Sequence, residues 1–101
     1  MEIIKKKKVE GCLEGQNVWD ILFDKQIDKD FIDYLGKMGK LIYKDELKKP
    51  FFKVIIRGEF TFKGSESNKS IRVILPDEYS GDWLSMLKEH IEGYSYNKSV
   101  A

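Results

Sequence analysis

Asp20, Asp24 and Asp28 recur at every fourth position, and Asp30 and Asp33 follow them. On a continuous helix this spacing lines three carboxylates along one side, and a hard cation takes such oxygens. The segment "DKDFID" has neither the glycine nor the later glutamate that give a calcium loop its geometry, so the run reads as the solvated face of an amphipathic helix. Nucleophilic chemistry would have to come from Cys12, the only cysteine, with His90, the only histidine. No local signature pairs them, and they fall in different predicted elements. His90 lies beside the apolar stripe of the last predicted helix, near its C-terminus, where the helix dipole favours an imidazolium. Asp77-Glu78, directly after Pro76, reads as a turn rather than an acid/base dyad. These residues predict no catalytic group, no metal site and no cofactor, and an enzyme would require Cys12, His90 or paired acids to converge in a pocket.

Phosphate binding is the other chemistry on offer. In "DYLGKMGKLIYK", residues 33–44, two glycines flank a basic pair position. The run Leu35-Gly36-Lys37-Met38-Gly39-Lys40-Leu41-Ile42 resembles the GXXG signature of KH RNA-binding domains. That resemblance implies two helices joined by a loop that clamps a nucleic-acid backbone. Gly36 and Gly39 would then allow close approach and Lys37 and Lys40 would meet the phosphates, with "KLIYKDELKK" forming the second helix. The same residues also fit a helix end, in which Gly36 weakens the last turn, Gly39 is a left-handed cap, and Lys37 and Lys40 favour the negative helix terminus. On the nucleic-acid reading the track extends through Lys44, Lys48 and Lys49 to Lys53 and Arg57. Whether residues 41–48 form a strand or a helix separates the two readings.

The clearest periodic signal is "FFKVIIRGEFTFKG", residues 51–64. Phe52, Val54, Ile56, Phe60 and Phe62 fall on even positions, and Lys53, Arg57, Glu59, Thr61 and Lys63 on odd ones, so one face is core. The phase is kept either by one long strand bent at Gly58, the preferred reading, or by a hairpin with the loop Arg57-Gly58-Glu59 that sets Ile56 opposite Phe60 and Val54 opposite Phe62. The odd face carries Phe51, Lys53, Ile55 and Arg57, apolar and basic in alternation. It calls for a covering element, a subunit or an acidic partner. "RGEFTF" lacks aromatics at the exposed positions an RRM would use for base stacking.

The elements that must position these residues follow from the rest of the chain. "IIKKKKV", residues 3–9, is a weak strand fit only for an exposed edge. "EGCLEGQN" is a loop with Asn17 placed to cap a helix. The helix stripe runs through Val18, Trp19, Leu22, Phe23 and Ile27 and then Phe31, Tyr34, Leu35 and Met38, with Asp28 able to recap a second helix. "LIYK" can form a short strand. "GSESNKS" is a polar turn, and "IRVIL" returns as a strand with Ile71, Val73 and Leu75 inward. Ser80 caps a last helix with the stripe Trp83, Leu84, Leu87 and Ile91, which ends at Gly93.

The 101 residues form one domain, 1–101, with fraying expected at 1–8 and 95–101. The charged fraction of 35% is high, but hydrophobic residues at 42% and aromatics at 13% provide for a packed core. Net charge is +1, with acids concentrated in residues 10–33 and bases in 34–57. All bases but Arg57 and Arg72 are lysine, which lacks the planar fork suited to base recognition. No apolar run has membrane-spanning length, and the single cysteine suits a reducing cytoplasm.

The expected fold is α+β: a small antiparallel sheet of three to four strands with two or three helices packed on one face, for which a ferredoxin-like plan is one candidate. The expected function is a non-catalytic cytoplasmic contact domain that binds a protein partner, a ligand or a second copy through Phe51, Lys53, Ile55 and Arg57. A single-stranded RNA or DNA module using Gly36, Lys37, Gly39, Lys40, Lys53 and Arg57 is the alternative.

Overall fold

A computed structural model describes residues 1–10, 17–46 and 48–100, with side chains as far as Tyr94. The chain is α+β, but its sheet has six strands rather than three or four, all antiparallel. The strands are β1 (Ile3–Lys8), β2 (Val18–Phe23), β3 (Lys40–Lys44), β4 (Phe51–Ile55), β5 (Thr61–Ser65) and β6 (Ser70–Ile74). They lie in the order β1-β2-β6-β5-β4-β3, which is not the ferredoxin-like plan. Helices α1 (Lys29–Leu35) and α2 (Trp83–Val100) lay Phe31, Ile32, Leu35, Leu87 and Ile91 against the sheet residues Ile21, Phe23, Phe52, Val54, Phe62, Ile71 and Val73. One layer of helix therefore covers one face of the sheet.

Residues 18–23 form a strand where the spacing predicts a helix. "VWDILF" is rich in β-branched and aromatic residues, and in six residues the two periods cannot be told apart. Burial separates them. Ile21, absent from the helical stripe, is fully buried, whereas Leu22, a member of it, is 36% exposed. Trp19, Ile21 and Phe23 alternate into the core, and β2 pairs on both sides, with β1 and β6. Asn17 accordingly caps no helix. Its side-chain oxygen accepts from the Trp19 indole at 3.1 Å, and its carbonyl from the Leu75 N–H.

The recapping at Asp28 is real: its carboxylate accepts from the Phe31 N–H at 2.8 Å and starts α1. The approach to α1 is held by the β5–β6 turn, where the Ile27 N–H donates to the Asn68 carbonyl and the Ser67 N–H to that of Ile27. At the other helix the cap is Asp82 rather than Ser80, since its carboxylate accepts from the Ser85 N–H. Gly93 does not end α2. A Cβ there would lie 2.6 Å from the Tyr34 hydroxyl, so the glycine leaves room for that hydroxyl to donate to the His90 carbonyl at 2.7 Å.

The segment 51–64 is a hairpin, not a bent strand. Ile55 pairs with Thr61 and Val54 with Phe62, the Ile56 N–H donates to the Phe60 carbonyl, and the Glu59 N–H closes the turn on Ile56. Gly58 has φ +79°, and a Cβ there would meet nothing within 4 Å. Its role is therefore conformational alone. Gly58→Ala is expected to lower stability by about 1 kcal/mol, the cost of a left-handed L-residue, with Gly58→Asn losing less. A urea midpoint unchanged in Gly58→Ala would refute this turn geometry.

Both sheet edges are guarded by lysine. β1 presents Lys5 to Lys8, with a bulge that leaves Ile4 60% exposed. β3 begins and ends with Lys40 and Lys44. Antiparallel pairing of two β3 edges about Ile42 would set Lys40 against Lys44, which opposes self-association through that edge.

Candidate functional site

The aspartates do not share a helix side. Asp20 is on β2, where its two oxygens accept from Arg72 Nε at 2.9 Å and Nη2 at 3.3 Å. Asp24 accepts from the Glu2 N–H at 2.8 Å, which holds its carboxyl below the usual range and ties the chain start to the end of β2. Asp28 caps α1, and Asp33 pairs with Lys29, whose ammonium that hydrogen bond pushes above its ordinary value. Among the described residues no group of three His, Cys, Asp or Glu side chains converges as a metal site would.

His90 is structural. Its Nε2 donates to the Tyr34 carbonyl at 2.9 Å, its ring stacks on that of Tyr34 with centroids 4.2 Å apart, and Tyr34 returns a hydrogen bond to the His90 carbonyl. The pair clamps α1 to α2. Cys12 lies outside the described residues, as does the remainder of the segment 11–16. Burial raises the hydroxyl pKa of Tyr43 and Tyr79, with Glu66 and Glu59 beside them adding to it, and both tyrosines pack against the core.

Gly36 and Gly39 do not form a left-handed cap. Gly36–Met38 is a single 3₁₀ turn, and Gly36 has ordinary helical dihedrals. Gly39 is extended, at φ −170°, and enters β3. A Cβ on Gly39 would come 2.3 Å from the Ile55 carbonyl oxygen, so the residue is glycine because β4 passes too close for a side chain. Residues 40–44 are a strand, and the second helix that the KH plan requires does not form there. Of the six residues of the nucleic-acid reading, Gly39 abuts Ile55 and Lys40 pairs with it, while Gly36 and Lys37 belong to the preceding turn. Lys37 lies over the Tyr34 ring at 5.6 Å, Arg57 sits exposed in the hairpin turn, and Lys40 and Lys53 share a sheet face.

That face is the one opposite the helices. Cross-strand partners share a face, so the pairings define its rows directly. One row crosses all six strands: Ile42, Lys53, Lys63, Arg72, Asp20 and Lys7. Beside it run Lys40, Ile55, Thr61, Ile74 and Val18. On its other side lie Lys44, Phe51 and Ser65, and across the sheet Ser70, Leu22 and Lys5. Every ionisable strand residue of the face is basic except Asp20, although the whole chain is balanced at 18 bases to 17 acids. The tertiary structure has thus sorted charge to one side.

Of the apolar residues here, Phe51, Ile42, Ile55 and Ile74 are half-buried, Leu22 is exposed and Val18 is fully buried, and among the described residues both helices lie on the opposite side. A depression of about 220 Å³ is lined by Asp20, Phe51, Lys63, Ser65, Ser70 and Arg72 near the middle of the central row. A wider one, of about 670 Å³, opens at the hairpin end beside Ile55, Arg57 and Ile74.

Of the four residues expected to form a contact surface, Phe51, Lys53 and Ile55 lie on this face and Arg57 at its end. Lys63 and Arg72 join them only in the folded chain. Their outward phase is legible, since each lies between inward-facing neighbours, and the polar turn between β5 and β6 makes the strands neighbours, but the register that sets Lys63 opposite Arg72 is not legible. Among the described residues, no helix is long and apolar enough to cross a membrane. Comparison of the chain with protein-family models, with curated proteins and with solved structures finds no match.

Proposed function

We propose that this protein is a non-catalytic cytosolic contact domain that binds an anionic partner on its helix-free sheet face. The observation that carries the reading is the sorting of charge: a nearly neutral chain places Lys53, Lys63, Arg72 and Lys7 in one row of a single sheet face, interrupted by Asp20 on Arg72 and flanked by apolar residues. Such a surface attracts opposite charge at long range and offers apolar area at contact. A second copy fits it poorly, because two such faces would set lysine against lysine.

Retention on a polyanion tests the reading. On immobilised heparin, Lys53→Glu with Lys63→Glu is expected to lower the eluting salt concentration by at least about half, because the change reverses two charges at the centre of the field. Lys25→Glu with Lys88→Glu, the same charge change at exposed positions off this face, is the comparison. Equal loss from both pairs would mean that net charge rather than the face governs binding, and would refute the proposal.

A further inference from the structure

We infer that the anionic partner is a single-stranded nucleic acid whose phosphates follow the central row while its bases lie on the flanking apolar residues. This inference rests on the contact reading above and adds the class of partner. Its first support is linear order. Lys53, Lys63 and Arg72 stand on three adjacent strands in direct register, at steps of about 4.8 Å, and lysine stems can splay from there to the wider spacing of successive phosphates. The row continues past Asp20, which holds Arg72, to Lys7, so from Lys53 it crosses four strand spacings, roughly 19 Å, the span of about three nucleotides.

The second support is what borders the row. Phe51 pairs with Ser65 and Lys44, one register step from Lys53, and lines the central depression. A half-buried aromatic ring beside a line of cations is the arrangement in which a base stacks while its phosphate is neutralised. Ile55 and Ile74 give the other border an apolar surface. Lysine, a point charge without a fork, suits phosphate neutralisation without base reading, so the binding is expected to tolerate sequence.

The third support is shape. The rows lie on a sheet with no helix on this side among the described residues. An exposed base can reach such a surface, whereas the base edges of a duplex lie within grooves that need a protruding element. An acidic polypeptide would satisfy the cations but would leave the Phe51 ring without a planar partner.

The test is fluorescence anisotropy of the intact protein with labelled 12-nucleotide oligo-dT and oligo-U at 50 and 200 mM salt. A 12-residue polyglutamate and a 12-base-pair duplex are the comparison probes. With three phosphates engaged, at Lys53, Lys63 and Lys7, affinity for the single strands is expected to fall about twenty-fold across that salt range. Lys53→Gln with Lys63→Gln should weaken binding and flatten the salt dependence, while Phe51→Ala should cost about tenfold with the salt dependence retained. Each variant's thermal melt checks folding, and Lys25→Gln with Lys88→Gln should change nothing.

Polyglutamate binding to the face without oligonucleotide binding would overturn the nucleic-acid inference and leave the contact reading standing. Duplex binding as tight as single-strand binding would overturn it likewise. Binding of neither polymer, or equal weakening by the Lys25 and Lys88 substitutions, would remove both.

Discussion

Gly39→Ala is expected to destabilise the fold by about 2–3 kcal/mol, more than its single added carbon would suggest, because that carbon meets backbone. The nearest atoms to a Cβ at this position are the Ile55 carbonyl oxygen at 2.3 Å and its carbon at 2.9 Å. Both belong to β4, whose Ile55 pairs with Lys40 at the start of β3. A flexible side chain could turn away from an intruding methyl group, whereas a paired strand can yield only by moving the edge of the sheet. Gly36→Ala is the informative contrast. The three atoms nearest its Cβ belong to the Leu41 side chain, with Cβ and Cδ2 both at 2.9 Å, so Leu41 must shift, but no backbone carbonyl is among them and the Gly36 backbone is already helical. The cost there should be about 1–1.5 kcal/mol, below that at Gly39, since alanine's better helix propensity offsets part of the crowding. Urea unfolding of the two variants measures the difference. Equal costs would mean that the pair acts as one loop, as a backbone clamp requires; a large gap with Gly39 the more sensitive is the outcome a strand entry predicts.

Phe31→Ala should cost still more, about 3–5 kcal/mol, which is a large share of the 5–15 kcal/mol typical of a domain. Phe31 is fully buried at the junction of α1, α2 and the sheet. Its ring meets Phe23 of β2 edge-on, with centroids 5.6 Å apart, and Tyr94 of α2 at 5.0 Å. Removing it leaves a cavity that the two helices cannot close, because the Tyr34–His90 clamp fixes their separation. The denaturant midpoint should fall with its slope nearly unchanged. Leu22→Ala, at a 36% exposed position on the opposite face, should stay within about 0.5 kcal/mol of the parent. A loss below about 1 kcal/mol for Phe31→Ala would show that α1 is not docked as described.

These two positions also show where reading by sequence succeeds and where it stops. Phe31 belongs to a helix whose N-cap, Asp28, and whose inward residues Phe31 and Leu35 are visible in the spacing, because a cap and a 3.6-residue period are local properties. The inward phase of Phe52, Val54, Phe60 and Phe62, and that of Ile71, Val73 and Leu75, is legible for the same reason, and all seven are buried. Gly39 is different. The atom that demands a glycine there lies sixteen positions along the chain, on Ile55, and no local pattern announces it.

Local pattern is enough to say which residues of the hairpin, of β6 and of both helices face inward, since alternation and helical spacing are set by backbone geometry within a few residues. The remainder came from long-range pairing. It made β2 a strand, because β1 and β6 offered hydrogen-bonding partners on both sides of a segment whose six residues suit either period. It turned 51–64 back on itself at Gly58, where the even phase alone allowed two paths. It also completed the row, joining Lys53, Lys63 and Arg72 of the successive strands β4, β5 and β6 through Asp20 of β2 to Lys7 of β1. Strand pairing is a non-local choice, made by burying one whole face at once, and only that choice brought these charges onto the other.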